Sequence, residues 1–177
     1  MISKNTEAQI VVAPYDPSWP ALFQRERAAL EAAMGRWLAG PIEHVGSTAV
    51  PGLPAKPVID IMAAVENLEA SRPAIGALAA LDYCYYPYRP DAVHWFCKPS
   101  PSLRTHHLHL VPFGSTLWME RLAFRDALRR SPKTAADYAQ LKQRLAEQYK
   151  TDREGYTDAK GPFIRRVLVG GLKPGGR

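Results

Sequence analysis

The segment IEHVGSTAVPGLPAKPVIDIMAAV, which spans Ile42–Val65, carries the strongest structural signals of this chain. It begins as a short apolar strand, turns at Gly46-Ser47, crosses a loop rich in Pro and Gly, and returns as a second strand, Pro57–Val65. The returning strand is apolar except for one acid, Asp60. Backbone N–H groups at a turn bind anionic oxygens, and a carboxylate on a rigid strand can hold a hard cation opposite them. The segment therefore predicts a site for a phosphate and a metal ion.

Part of this segment, HVGSTAVPGLPAKPVIDI (His44–Ile61), resembles the signature of the GrpB-like family. That family is placed in the nucleotidyltransferase superfamily and also occurs as the C-terminal domain of some dephospho-CoA kinases. The resemblance implies a nucleotidyltransferase-type core with additional C-terminal helices, and it covers nearly the whole chain. It continues in YDPSWP (Tyr15–Pro20), HHLHLVP (His106–Pro112), LAFRDALR (Leu122–Arg129) and the residues Tyr156, Lys160, Phe163 and Ile164.

The composition is ordinary for a soluble globular protein, with 46% apolar and 23% charged residues among 177. This length suffices for a substantial core, so we predict a single domain over residues 1–177. The sequence contains no apolar run of about eighteen residues that could span a membrane, and no apolar core of a secretory signal. Cys84 and Cys97 have neither metal-ligand spacing nor the density of a disulfide framework. These features predict a cytoplasmic protein with two reduced thiols.

The net charge of +6 is concentrated toward the C-terminus. Residues 1–60 contain five Lys/Arg and six Asp/Glu, whereas the residues from Arg121 onward contain fourteen Lys/Arg and six Asp/Glu. A basic C-terminal third facing an acid-bearing sheet suits a nucleotide or another phosphorylated small molecule. Nucleic acid is not the favoured partner, because the basic residues are only weakly interleaved with aromatic residues on one face.

The order of the predicted elements indicates an α+β fold. We expect a mixed β-sheet with helices packed on one face, the site near the other face, and further helices toward the C-terminus. The predicted strands are Gln9–Ala13, Ile42–Val45, Pro57–Val65, Tyr83–Arg89, Ala92–Lys98 and His106–Val111, of which the fourth and fifth form a hairpin. The predicted helices are Asp16–Leu38, Asn67–Leu81, Ser115–Arg129, Thr134–Lys150 and Asp152–Val169, the last of which Gly161-Pro162 can interrupt.

Asp60 is the first candidate for chemistry. An ionised acid inside an apolar strand needs a cation or several hydrogen-bond donors, so we predict that Asp60 is a ligand of a divalent metal ion. The alternative is a structural role, in which Asp60 caps a turn or pairs with Lys56.

Met62 departs from the pattern of active members of the superfamily that this chain resembles. They usually carry a second carboxylate two positions after the first, on the same face of the strand, and the two acids clamp a metal against the triphosphate. Methionine cannot bind Mg²⁺, and an apolar residue at the position of the second carboxylate is usual in the family. Either other residues complete the metal site, or the reaction is not metal-dependent nucleotide transfer.

His107 and His109 are the candidates to complete the site, because their alternation with two leucines places both imidazoles on one face of a strand. Two imidazoles together with Asp60 would favour Zn²⁺, Mn²⁺ or Fe²⁺ over Mg²⁺. Alternatively, one of the histidines acts as a general base, or both are structural residues of the sheet. His44 can face the same cleft, whereas His106 should point to the opposite face.

Several polar residues are candidates for contacts with a phosphate. Gly46, Ser47 and Thr48 would receive it at the turn, although Ser and Thr are also common helix N-caps. Basic residues could clamp the anion, although each one taken alone can equally be a surface charge. These basic residues are Lys56, Arg104, Arg125 and Lys160, of which Lys160 is the best candidate by resemblance.

Two interpretations of the function stay open at this point. In the first, the chain is an enzyme of the nucleotidyltransferase type that binds a nucleotide or another phosphorylated small molecule. Asp60, His107 and His109 would be its catalytic and metal-binding residues, with Mg²⁺, Mn²⁺ or Zn²⁺ as the cofactor. In the second, Met62 indicates a non-catalytic ligand-binding or accessory module with the same fold.

Overall fold

A five-stranded mixed sheet forms the centre of the structure, a computed structural model that describes residues 9–171. The strand order is β1-β2-β5-β4-β3. β2 and β5 are parallel, and every other neighbouring pair is antiparallel. The strands are β1 Leu38–Val45, β2 Ile59–Val65, β3 Cys84–Tyr86, β4 His94–Pro99 and β5 Arg104–Pro112. The predicted α+β fold and the β3–β4 hairpin are therefore confirmed.

Seven α-helices accompany the sheet in the described residues. Several begin at a side-chain cap: the side chains of Asn67, Ser115, Ser131 and Asp152 each accept a hydrogen bond from the backbone N–H three residues later. None of the helices within residues 9–171 is long and apolar enough to cross a membrane. The helices are α1 Trp19–Met34, α2 Leu68–Ser71, α3 Ala74–Ala79, α4 Thr116–Arg130, α5 Pro132–Tyr149, α6 Arg153–Ala159 and α7 Gly161–Gly171.

The two faces of the sheet are covered differently. On one face, α1 and α3 pack against alternate apolar residues of β2, β4 and β5 and form the main core. On the other face, Trp118 of α4 packs against Met62, Ala64 and Val111. The later helices form a further apolar cluster around Tyr138, with which the loop after β1 makes contact. The polar residues of β2 and β5 lie on this second face, as predicted, but α4 covers part of it, so helices pack on both faces of the sheet.

The prediction of a strand at Gln9–Ala13 is wrong. Only Ala13 forms a β-bridge, with Ala55 in the loop before β2. The backbone of this segment finds its partners outside the sheet, because Ile10 N–H donates to the carbonyl of Lys150 at the end of α5. A segment bonded to a loop and a helix end cannot join the ladder of strands.

Two predicted helices are divided by breaks in the chain. The helix predicted over Asn67–Leu81 ends at Ser71 and resumes at Ala74, because Pro73 cannot donate to the preceding turn. The helix predicted over Asp152–Val169 is interrupted next to Gly161, as the sequence allowed. The first helix is shorter than predicted at both ends, because it begins at Trp19 rather than at Asp16 and ends at Met34 rather than at Leu38. The Asp16 side chain accepts a hydrogen bond from Ser18 N–H before the helix begins.

Candidate functional site

The parallel pairing of β2 with β5 brings the predicted acid and histidines together. In the register, Asp60 lies opposite His107, and Met62 lies opposite His109. All four side chains point to the face that α1 and α3 leave uncovered. His107 Nδ1 and Asp60 Oδ1 are 2.9 Å apart. The two residues therefore form a carboxylate–imidazole pair, and the alternative of an Asp60–Lys56 pair is not needed to explain this partly buried acid.

The Asp60 carboxylate is ionised at neutral pH. Burial by itself would raise its pKa, but the hydrogen bond from His107, together with the weaker effects of neighbouring charges, outweighs burial and holds the pKa well below its ordinary value. His109 and Arg121 add smaller contributions in the same direction. Because an ionised carboxylate can only accept, His107 must donate its Nδ1 proton to Asp60. This bond fixes the tautomer and the orientation of the imidazole.

The turn predicted at Gly46-Ser47 closes tightly against Asp60. Gly46 has φ 72° and ψ −173°, and a 3-10 turn follows at Ser47–Ala49. A Cβ on Gly46 would lie 2.5 Å from Asp60 Oδ2. Glycine is therefore required here for two reasons, the backbone conformation and the close approach of the carboxylate. Neither Ser47 nor another side chain caps this short turn.

A cavity of about 130 Å³ opens beside the Asp60–His107 pair, and we call it the Asp60 pocket. It receives side chains from the turn after β1, from the loop before β2, from β2 and β5, and from α5 and α6. Six residues predicted for the site line it, namely Ser47, Thr48, Lys56, Asp60, His107 and Lys160, together with Lys142, Tyr156 and Thr157. A larger cavity of about 370 Å³ between α5 and α7 contains none of the predicted site residues.

Three lysines converge on the Asp60 pocket. The ammonium groups of Lys56 and Lys160 lie 5.2 Å and 4.3 Å from the ring centroid of Tyr156. Lys142 donates to the carbonyl of Pro54. Burial and the neighbouring Lys160 lower the pKa of Lys142 to about 7, and burial and Lys56 lower the pKa of Lys160 to about 8. In residues 9–171, no carboxylate forms an ion pair with Lys142 or Lys160.

Thr48 and His44 form a buried connection behind the pocket. His44 Nε2 is 2.9 Å from Thr48 Oγ1, which donates to the carbonyl of Val58. The His44 ring stacks on Phe23, and burial lowers its pKa to about 4. A histidine held neutral in this way anchors the turn to β2 and does not line the pocket.

Two of the predicted basic residues lie outside the pocket. The Arg104 guanidinium lies 5.3 Å from the ring centroid of Trp95 and donates to the carbonyl of Pro101. Arg125 donates to Glu43 Oε2 at 2.6 Å and to a backbone carbonyl of β1. Arg125 thus ties α4 to the edge of the sheet, and the bulk of the anion-facing charge comes from the three lysines.

The metal-binding prediction for Asp60, His107 and His109 meets a geometric difficulty. Nδ1 of His107 is already hydrogen-bonded to Asp60. His109 lies two residues further along β5, opposite Met62, and is buried. Across residues 9–171, no group of three His, Cys, Asp or Glu side chains is arranged to hold a metal ion. The arrangement as it stands is not a three-ligand set, and metal binding by these residues stays a prediction.

Met62 occupies the place of the second carboxylate but does not reach the pocket. It is completely buried against Val45, Val111 and Trp118. The neighbouring His109 is also buried, and burial together with Arg121 lowers its pKa well below the ordinary value. The half of the site that would hold a second acid is therefore part of the core.

Sequence reasoning missed Lys142 and Arg121. Lys142 lies within the apolar stripe of α5, between Tyr138 and Leu145, and a lysine at that spacing is a signal that was available. Arg121 faces the site from α4, where its charge acts on both Asp60 and His109. Neither residue could be assigned to the pocket without knowing how α4 and α5 pack on the sheet.

Comparisons with known proteins place this fold and site in one family. A family model described as GrpB protein matches residues 9–169. A UPF0157 protein of Pseudomonas aeruginosa is 39% identical over 170 residues, which cover 94% of this chain and 69% of that protein. A dephospho-CoA kinase of Mycolicibacterium paratuberculosis is 31% identical over a region that covers 89% of this chain and 45% of the kinase.

A solved structure shows the same fold. The crystal structure of the conserved protein GrpB from Enterococcus faecalis superimposes with a TM-score of 0.82 at 33% identity, covering 92% of this chain and 98% of that one. The nucleotidyltransferase-like α+β fold that the resemblance implied is thereby confirmed. With a family model that spans most of the described residues and a close structural relative, the chain belongs to the GrpB family.

Proposed function

We propose that the Asp60 pocket binds the phosphate of a phosphorylated small molecule, with nucleotides as the leading candidates. The observation that carries this proposal is the convergence of three lysines and the Ser47 hydroxyl on one cavity. Lys142 and Lys160 form no ion pair with a carboxylate in the described structure, and an anion would stabilise their ammonium groups. Phosphate matches this need because it presents several acceptor oxygens at once.

The size of the pocket limits which part of the ligand it can hold. Its volume of about 130 Å³ is well below the roughly 300 Å³ at which pockets for whole small molecules begin. A phosphoryl group fits this space, whereas a complete nucleotide does not. A nucleoside attached to that phosphate would therefore lie along the pocket mouth.

The Asp60–His107 pair gives the pocket a route to catalysis. Asp60 holds Nδ1–H, and Nε2 of His107 has no hydrogen-bond partner in the described residues. In a phosphoryl or nucleotidyl transfer, Nε2 would take the proton of an attacking hydroxyl as its oxygen bonds to phosphorus, once substrate binding displaces the groups that shield Nε2 in this structure. The bond to the leaving group breaks with its electron pair, and the lysine ammonium groups neutralise the charge that develops there. The chain would then act as a transferase of the nucleotidyltransferase type.

A second candidate function is a non-catalytic binding module of the same fold. The observation that favours it is the burial of Met62 where active relatives of the superfamily would need an acid. The shielding of His107 Nε2 from solvent fits this function as well. Such a module would bind the same phosphate and leave it unchanged.

Calorimetric titration tests the shared part of both functions. Inorganic phosphate, pyrophosphate, dephospho-CoA and the four ribonucleoside triphosphates are titrated separately, each with and without Mg²⁺, Mn²⁺ or Zn²⁺. Lys160→Met should weaken binding by about 10- to 100-fold, the effect of one charge-assisted hydrogen bond. The control Lys133→Met removes a lysine whose side chain is 86% exposed on α5 and should leave the affinity unchanged. Equal affinities for the two variants, or no binding of any of these ligands, would contradict the proposal.

Turnover separates the two candidates. Release of pyrophosphate or phosphate that is lost in His107→Gln, while ligand binding persists, supports the enzyme. Binding without turnover for every ligand and every metal supports the module. The metal dependence of the titration also decides whether the predicted cofactor takes part.

A further inference from the structure

The two cysteines of the chain face each other across the hairpin at the edge of the sheet. In the β3–β4 register, Cys84 lies directly opposite Cys97. Directly opposed residues on antiparallel strands project to the same side of the sheet. The sequence contains no third cysteine that could compete for either thiol.

The spacing of opposed residues is close to that of a disulfide. Their Cβ atoms lie roughly 4.5–5.5 Å apart, whereas a disulfide needs roughly 3.5–4.5 Å. A small approach of the two strands is therefore enough. β3 is only three residues long and lies at the edge of the sheet, so it has one neighbouring strand to hold it in place.

The two thiols differ in their access to solvent. Cys84 is half-buried, and its Sγ donates a weak hydrogen bond to the carbonyl of Pro99 at 3.5 Å. Cys97 is 1% exposed. Burial raises the pKa of the Cys97 thiol, which keeps it protonated at neutral pH. An oxidant from solution therefore reaches Cys84 first, with Cys97 held behind it as the second thiol.

We propose that Cys84 and Cys97 form a reversible cross-strand disulfide when the protein meets a peroxide. The Cys84 thiolate attacks hydrogen peroxide, the O–O bond breaks, and the products are a sulfenic acid and hydroxide. The Cys97 sulfur then attacks the Cys84 sulfur, the S–O bond breaks, and the hydroxyl leaves as water with the Cys97 proton. In sum, two thiols and one peroxide give one disulfide and two molecules of water.

The position of this pair links it to the candidate site. Cys97 lies opposite His107 in the β4–β5 register, and His107 lies opposite Asp60 in the next pair. Cys84, Cys97, His107 and Asp60 thus form one row across four strands, on one face of the sheet. The modification itself does not depend on the proposed function, since it needs only the register of β3 and β4.

Mass spectrometry of the intact chain tests the proposal. The purified protein is treated with hydrogen peroxide, denatured with iodoacetamide present, and weighed with and without earlier reduction by dithiothreitol. We expect the oxidised monomer to lose two hydrogens and to take up no alkyl group, and the reduced one to take up two. A monomer that still takes up two alkyl groups after peroxide treatment, or disulfides found only between chains, would overturn the proposal.

Single-cysteine variants test the assigned order of reaction. Cys97→Ser should retain the Cys84 sulfenic acid, which dimedone traps, and Cys84→Ser should react more slowly with peroxide than the parent chain. The reverse pattern, with Cys97 trapped faster than Cys84, would refute the order. Circular dichroism of both variants checks that the sheet is intact, and the intact-mass result on the unmodified sequence stands independently of them.

Discussion

Replacing Gly46 by alanine tests the close fit between the turn and the Asp60 carboxylate. The new Cβ would lie 2.5 Å from Asp60 Oδ2 and 3.0 Å from Asp60 Cβ. Asp60 Cβ is held in place by the backbone of β2, which lies between β1 and β5, whereas Oδ2 is the end of the side chain and can move. The carboxylate must therefore rotate away, and its bond to His107 is lost or lengthened.

Two effects set the size of the loss. The conformation at Gly46, with φ 72° and ψ −173°, is almost restricted to glycine and costs another residue about 1–3 kcal/mol. Loss of the charge-assisted bond between Asp60 and His107 adds about 1–2 kcal/mol, at the low end because the Asp60 side chain is 28% exposed. A total of about 3 kcal/mol lowers the midpoint of thermal unfolding by roughly 6–12 °C in a chain of this length.

Gly52→Ala is the matched control for this change. Gly52 also has a positive φ, of 77°, but a Cβ there meets no atom within 4 Å. We expect it to cost only the backbone strain, about 1–2 kcal/mol, and to leave phosphate affinity unchanged. Urea unfolding and phosphate titration of both variants separate strain from the clash. If Gly46→Ala matches Gly52→Ala in both measurements, Asp60 is not confined by this turn and the reasoning fails.

Three further changes report on other parts of the structure. Asp60→Asn removes the one negative charge that residues 9–171 bring to the pocket, so phosphate should bind more tightly while any turnover is lost; weaker binding in calorimetry would contradict the assignment. The affinity for phosphate should fall as the pH rises through about 8, because Lys160 then loses its proton, and a flat profile between pH 7 and 9 would refute this. Tyr83→Phe removes a 2.9 Å bond to the buried Glu26 on the opposite face; urea unfolding should show a loss of about 1–3 kcal/mol, with phosphate affinity unchanged.

The polar face of the sheet could be predicted from the sequence, because the alternation of side chains along each strand does not depend on how the strands pair. Asp60 and Met62 share a face of β2, and His107 and His109 share a face of β5. A register that keeps the apolar residues of both strands in the core places the acid and the two imidazoles on the same face of the sheet. The actual partner of Asp60 depends on the register, which a shift of two residues would change to His109. No local pattern in the chain fixes that shift.

The residues of the pocket that the sequence alone did not predict are placed there by contacts between elements that are distant in the chain. Lys142 enters the pocket because α5 packs its apolar stripe on the loop that carries Leu53. A lysine in that stripe is compatible with a side chain that bends out to solvent, which is the usual outcome. The prediction of a strand at Gln9–Ala13 was wrong for a similar reason. β-branched residues favour a strand, but a strand also needs a neighbouring strand to pair with, and the local sequence does not determine that.

The buried lysines reveal how the pocket balances stability against binding. Lys142 is 2% exposed, and its pKa in the folded chain is about 7, below its ordinary value of 10.5. The unfolded chain therefore binds this proton more tightly, so Lys142 destabilises the fold at neutral pH, and that cost shrinks as the pH rises from about 7 toward 10.5. An anion held between Lys142 and Lys160 offsets part of this cost, because it binds only the folded chain and favours the charged lysines. At a phosphate concentration of about 100 times the dissociation constant, the gain is about 2.7 kcal/mol. A binding site loses stability when it is empty and regains part of it when phosphate binds, whereas a structural lysine cluster would show only the loss.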